Sequence, residues 1–308
     1  MDRRQFLSAA AAATVAAVGK STPMLPIVDT HQHLWDLTKF RLPWLKEGDV
    51  FNKNHVMSDY LAATAGLNVV KTIYMEVDVA PEQQNKEAEY VIGLCQRADN
   101  PMVAAVISGR PASDAFPKYI RQFKDSDTIK GVRQVLHAES TPPGTCLDEK
   151  FIKGVRLLGE LGKSFDLCMR GKELTDAAKL IDACPDTRFI LDHCGNPDIH
   201  AKDPTQWQKG IAEVAKRKNV VCKVSGIVAS WEPGKWTADD LAPFVNHTME
   251  VFGPDRVMFG GDWPVCTKAA TYKQWVEALK SIVAERKTEE QKKLFADNAV
   301  RFYGLSED

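Results

Sequence analysis

Residues 27–36 read IVDTHQHLWD, and the polar residues after the apolar opening decide between two ways of folding an α/β chain. A doubly wound sheet places a glycine-rich phosphate turn after its first strand, whereas a (β/α)8 barrel places polar chemistry at the carboxyl ends of its strands. Here the run leads into two histidines one residue apart, and neither GxGxxG nor GxxxxGK[ST] comes after it or any later strand. At the two-residue period of a strand, His31 and His33 point to one side and Gln32 to the other. Taken alone, the pair has three readings: metal ligands, substrate-binding groups, or polar decoration of a loop.

Seven more β-rich runs occur along the chain: VVKTIYMEV (69–77), MVAAVIS (102–108), IKGVRQVL (129–136), SFDLCM (164–169), RFILDH (188–193), VVCKVS (220–225) and RVMFGG (256–261). Helical patterns lie between most of them, among them SDYLAATAGL (58–67), with Ser58 as its N-cap. Two amphipathic helices close the chain, the second being TEEQKKLFADNAVRFYG (288–304), with Thr288 as its cap. Strands alternating with helices of 10–15 residues predict βα units on a parallel sheet. Eight such units in about 280 residues match a (β/α)8 TIM barrel. No repeat or linker divides residues 21–308, which read as one domain.

Composition narrows the function. The 308 residues are 44% hydrophobic, and 40 Lys and Arg stand against 41 Asp and Glu, for a formal charge of -1. That balance lacks the basic surplus of a phosphate-backbone binder, so nucleic acid is excluded as an expected partner. Residues 1–20 have a signal-peptide layout, with Arg3 and Arg4 ahead of Phe6, Leu7 and an Ala/Val run. This resembles a twin-arginine signal and predicts export to the periplasm. No later segment has the ~18 apolar residues of a membrane span. The seven cysteines form no CxxC and are odd in number, so they read as buried thiols and not as a disulfide framework or zinc ribbon.

Polar residues gather at the strand ends. His31 and His33 end the first strand, Glu76 and Asp78 the second, Arg133 and His137 the fourth. Asp192 and His193 end the sixth, Lys223 and Ser225 the seventh, and Asp262 comes after the eighth. In a barrel these termini converge on one mouth, and imidazoles with a carboxylate suit a divalent cation such as zinc. The alternatives are a core histidine bonded to backbone for His193 and a helix cap for Asp262. The long loop after the first strand carries Trp35, Phe40 and Trp44, which suit a sugar-like ring or pack the loop onto the barrel. Trp231 and Trp236 raise the same pair of readings. His55, His200 and His247 read as surface or packing residues.

VDTHQHLWD, FILDHCGNPD, NVVCKVSGI, GPDRVMFGGDWPV and DNAVRFYG, in that order, resemble the amidohydrolase-2 family of the amidohydrolase superfamily. The likeness is to its branch of sugar-lactone and 2-pyrone-4,6-dicarboxylate lactonases. The resemblance implies a distorted, metal-dependent-hydrolase type of barrel with His31, His33, His193 and Asp262 as its catalytic centre. Asp262 would be the general base on water, His193 would polarise the carbonyl, and Arg133 would clamp substrate oxygens beside Trp35, Trp44 and Glu76. Strand five lacks the further histidine or lysine that many superfamily members supply. Glu76 could replace it, giving one zinc-like ion on His31, His33, Glu76 and Asp262, with a metal-free site as the alternative. The implied reaction is the opening of a small lactone, such as a fucono- or rhamnonolactone. Decarboxylation of a small carboxylate and non-catalytic binding of sugar acids are the competing readings.

Overall fold

The computed structural model describes residues 24–306, so the signal-like segment 1–20 lies outside the described residues. Eight strands form one sheet in sequential order: β1 (Ile27–Gln32), β2 (Val69–Met75), β3 (Met102–Ser108), β4 (Ile129–Val135), β5 (Ser164–Cys168), β6 (Arg188–Leu191), β7 (Val220–Val224) and β8 (Val257–Phe259). All neighbouring pairs run parallel. The sheet curls into a nearly closed (β/α)8 barrel, as the strand count predicts.

The seam between β8 and β1 has no regular ladder and is knit by single contacts. The Asp262 N–H donates to the His31 carbonyl at 2.8 Å and the His33 N–H to the Trp263 carbonyl at 2.8 Å. The Thr30 hydroxyl donates to the Phe259 carbonyl at 2.7 Å. The backbone that closes the barrel here also carries the side chains at its mouth.

Helices cover the outside: α1 (Met57–Thr64), α2 (Gln84–Cys95), α3 (Phe116–Arg121), α4 (Glu149–Glu160), α5 (Leu174–Ala183), α6 (Thr205–Ala215), α7 (Ala238–Phe252) and α8 (Tyr272–Ile282). Local chemistry sets where several of them start. The Asp148 carboxylate accepts the N–H groups of Lys150 and Phe151 at 2.8 and 3.3 Å to open α4, and Thr271 with Gln274 opens α8 by reciprocal bonds. Two expectations are corrected. Helix α1 starts at Met57 and not after Ser58, because the Asp59 carboxylate takes the Val56 N–H at 3.0 Å. The closing segment is not one α-helix: α9 (Thr288–Lys292) passes through a π-turn, Lys293–Asp297, into α10 (Asn298–Tyr303), and Thr288 is the first helical residue, not the cap.

That closing segment plugs the barrel. Ala296, Ala299 and Tyr303 pack with Val28, Ile73, Met75, Val106, Ile190 and Met258 of the interior. A second, larger apolar layer joins the outer faces of the strands to the helices. Six of the seven cysteines are buried and all are free thiols. Among the described residues no helix is long and apolar enough to cross a membrane.

Candidate active site

The carboxyl ends of the strands converge, and three of the side chains there stand on unusual backbone. Asp78, His193 and Asp262 have φ of 49°, 56° and 54°, the left-handed region that non-glycine residues rarely adopt. The strands stop just short of these residues, and the reversed backbone turns each side chain toward the mouth. Strain of this kind persists where the surrounding structure over-determines it, as it does at functional sites. Beside His193, Gly226 has φ of 67°, and a Cβ there would lie 2.2 Å from the His193 Nδ1. Only glycine lets the β7 turn come this close.

His31 and His33 lie on one side of β1 and both face Asp262. Asp262 Oδ1 is 3.3 Å from His33 Nε2 and 3.7 Å from His31 Nε2. Gln32 points the other way, accepting the Thr72 hydroxyl at 2.6 Å. The tautomer of His33 is fixed by its neighbours. Its Nδ1 lies 3.0 and 3.1 Å from the carbonyls of Met75 and Glu76, which only accept, so Nδ1 carries a proton, and in the neutral ring Nε2 presents a lone pair. That lone pair faces a carboxylate oxygen. Two acceptors at 3.3 Å repel unless a proton or a cation lies between them.

His31 is wholly buried, and burial above all holds its pKa well below the ordinary imidazole value. Its Nδ1 faces Asp192 Oδ1 at 3.5 Å. Burial would raise Asp262, yet His193, His33 and His31 draw it down to about 2, so its carboxylate is ionised at neutral pH. The His193 Nδ1 bonds the Ser225 hydroxyl at 2.9 Å, and its ring lies 4.5 Å from that of His31.

Beneath the imidazoles is a buried charge network. Lys223 Nζ reaches Asp166 at 2.6 Å and Asp192 at 3.3 Å, all three wholly buried. Burial would raise Asp192, but Lys223 and His31 hold it well below the carboxylate range. Burial pushes Asp166 up to about 7 even beside the lysine. Asp192 is held by ion pairs, with Lys223 at 3.3 Å and Arg133 Nη1 at 3.5 Å, and not by hydrogen bonds of good geometry, and the His31 Nδ1 makes no hydrogen bond among the described residues.

Among the described residues, two groups lie close enough to share one ion: His31 with His33 and Asp262, and His31 with Asp192 and His193. Glu76 joins neither. Its carboxylate accepts from Arg133 Nε at 2.6 Å and from the Asp78 N–H at 2.6 Å. Arg133 is correspondingly engaged, with its Nη2 on the Glu76 carbonyl at 2.9 Å and its Nη1 3.3 Å from His31 Nε2. The donor set of two imidazoles and one ionised carboxylate, with a histidine nitrogen facing a carboxylate oxygen at 3.3 Å, fits a divalent cation.

Above the centre opens a cavity of about 470 Å³, the size that takes a small-molecule substrate. His33, Asp262, His193 and Arg133 reach it, as do Trp35, Trp44 and Phe51. The indole N–H groups of Trp35 and Trp44 are turned away, onto the carbonyls of Lys53 and Val77 at 2.8 and 2.7 Å, so these rings offer apolar surface. Glu76 lies behind Arg133 and outside this lining. Trp231 and Trp236 do not line it; the Trp236 indole bonds the Ala269 carbonyl. Nor does His55, which packs between Trp35 and Trp263. Cys168, which strand-end reasoning misses, does line it, with its sulfur 3.2 Å from His137 Nδ1. A signal is present, since Asp166 and Cys168 alternate in SFDLC and therefore share the interior side of β5.

Barrel, convergent imidazoles and an ionised carboxylate at the strand ends define a hydrolase-type centre of the amidohydrolase kind. The family model described as Amidohydrolase matches residues 28–305, and the chain belongs to that family. It is 27% identical over 298 residues to the L-fucono-1,5-lactonase of Burkholderia multivorans (strain ATCC 17616 / 249), covering 91% of this chain and 96% of that one. It is 20% identical over 334 residues to the L-rhamnono-gamma-lactonase of Scheffersomyces stipitis, covering 91% and 98%. A crystal structure of a Burkholderia multivorans amidohydrolase with bound zinc has the same fold, with a TM-score of 0.80 at 24% identity over 91% of this chain and all of that one.

Proposed function

We propose that this chain opens a small lactone ring by hydrolysis, with Asp262 as the base that takes the proton of the attacking water. The observation that carries the reading is the pair of facing acceptors, His33 Nε2 and Asp262 Oδ1, at the floor of a ring-sized cavity. The names of the lactonase relatives support the substrate class.

His31, His33 and Asp262 would hold one divalent ion, zinc first, which when bound supplies Lewis acidity toward the ring carbonyl. The chain's own residues do the rest. Asp262, ionised at neutral pH, is able to accept a proton and to return it to the leaving ring oxygen. His193, held by Ser225, faces the carbonyl side and stabilises charge developing on its oxygen. Arg133, braced by Glu76, fixes the position of His31 and borders the substrate. Sugar-acid lactones are the first substrates to try. Export through a twin-arginine signal is part of the same proposal, supported by Arg3, Arg4 and the Ala-rich run. Its check is cell fractionation: intact protein confined to the cytoplasm would refute it.

The experiment is elemental analysis of the purified protein together with a pH-indicator assay on a panel of aldono-lactones, before and after chelation. About one ion per chain and turnover lost on chelation is the expected result. Ring opening that survives complete removal of metal would assign His31 and His33 to direct substrate contact, and no ring opening with a metal-loaded protein would refute the lactonase reading.

A further inference from the structure

We infer that Lys268 receives an anionic substituent of the substrate, so that the lactones preferred by this site carry a free carboxylate away from the ring carbonyl. The inference rests on the lactone reading of the same cavity and specifies the substrate within it.

The charges on the cavity wall point to this residue. Asp78 is paired with Arg110 and Arg133 with Glu76 at 2.6 Å, and Asp262 faces His33 Nε2 at 3.3 Å. Lys268 also lines the cavity, and no carboxylate among the described residues lies within 4.0 Å of it. Lys268 is therefore a cation of the wall that has no carboxylate partner among the described residues. Lys268 ends the turn Val265–Lys268, which begins three residues after Asp262, so its position is tied to the catalytic strand end.

A second wall group accompanies it. Ser230, which ends the turn Ile227–Ser230 after β7, also lines the cavity, and the two turns pack against each other. An ammonium and a hydroxyl on neighbouring turns make a receptor for carboxylate oxygens. The aromatic wall cannot serve, because its indole N–H groups are already bonded to backbone. A carboxylate on the end of a small ring away from Arg133 and His193 would thus find a cation without a carboxylate partner on the β7–β8 side.

D-Glucono-1,4-lactone and D-glucaro-1,4-lactone test this directly, since they share one ring and differ at the far carbon in CH2OH against carboxylate. The native chain is expected to prefer the glucaro-lactone in kcat/KM by about tenfold, the scale of one charge-assisted contact. In Lys268→Met the preference should fall to near unity, chiefly through KM, and Lys268→Arg should keep most of it. Salt at about 0.5 M should erode it in the native chain. No preference in the native chain, or a preference that survives Lys268→Met, overturns the inference. If neither ring is opened, the lactonase reading fails separately, and calorimetric binding of D-glucarate and D-gluconate then decides. Tighter binding of glucarate that is lost in Lys268→Met supports the anion site; equal binding overturns it.

Discussion

Replacing Asp29 should separate a buried carboxylate's hydrogen bonding from its charge. Its Oδ1 accepts the N–H groups of Gly261 and His31 at 2.7 and 2.9 Å, and its Oδ2 the hydroxyls of Tyr60 and Tyr272 at 2.8 and 3.0 Å. All five residues are buried, and burial raises the Asp29 pKa despite the four bonds. Asp29→Ala would leave two backbone N–H groups with no acceptor, and each such group costs about 1–3 kcal/mol. The tyrosine hydroxyls can rotate, but they too lose their acceptor, so a total loss of about 4 kcal/mol or more is expected. That is a large part of the roughly 5–15 kcal/mol typical of a domain. Asp29→Asn keeps the carbonyl oxygen for both N–H groups and offers its amide to the hydroxyls, which turn to accept; about 1–2 kcal/mol should be lost. Urea unfolding monitored by circular dichroism measures both. A loss under about 1 kcal/mol in Asp29→Ala, or equal losses in the two variants, would refute the reasoning.

Three further outcomes are expected from the same geometry. Gly226→Ala would force a Cβ to within 2.2 Å of His193 Nδ1 on left-handed backbone, so lactone turnover should fall at least tenfold while the far-ultraviolet spectrum is kept; unchanged turnover would mean His193 is not held by this turn. Lys223→Met removes the cation between Asp166 and Asp192 and should destabilise the fold by about 3–5 kcal/mol, the usual effect of orphaning a buried ion, with Asp166→Leu in the same chain recovering part of it. His55 is held down to about 4 by burial and by Lys53. The unfolded chain therefore takes up a proton near pH 6.5 that the folded one refuses, and stability drops as pH falls from about 6.5 to 4. His55→Phe should show a shallower drop across that window in thermal unfolding, and an identical slope would refute the assignment.

All eight strands were legible because short apolar runs of 5–9 residues, most of them rich in β-branched side chains and set apart by helical periodicity, leave few alternatives. Their ends were not, since β6 and β8 stop at Leu191 and Phe259, where the chain reverses to present His193 and Asp262. His31, His33, His193 and Asp262 were legible as strand-end polar residues, and the structure brings them together. Glu76 shows the limit of that reading: its place in the chain says that it reaches the mouth, but only the fold reveals that Arg133, 57 positions away, takes its carboxylate. Asp166 was unreadable for a similar reason. A charge inside an apolar strand has no meaning until the partner is known, and Lys223 lies 57 residues further on. Short α3 carried too little periodicity to register, and a π-turn leaves no mark distinct from an α-helical pattern.

The seam between β8 and β1 also sets when the protein can become active during its synthesis. Thr30 and Phe259, bonded across it, are 229 positions apart, so His31 and His33 wait for nearly the whole chain to leave the ribosome before Asp262 arrives to face them. A nascent or truncated polypeptide would hold the two imidazoles without the carboxylate that faces them. Assembly of this cluster is thus a report of completed folding, delivered by the last strand to emerge.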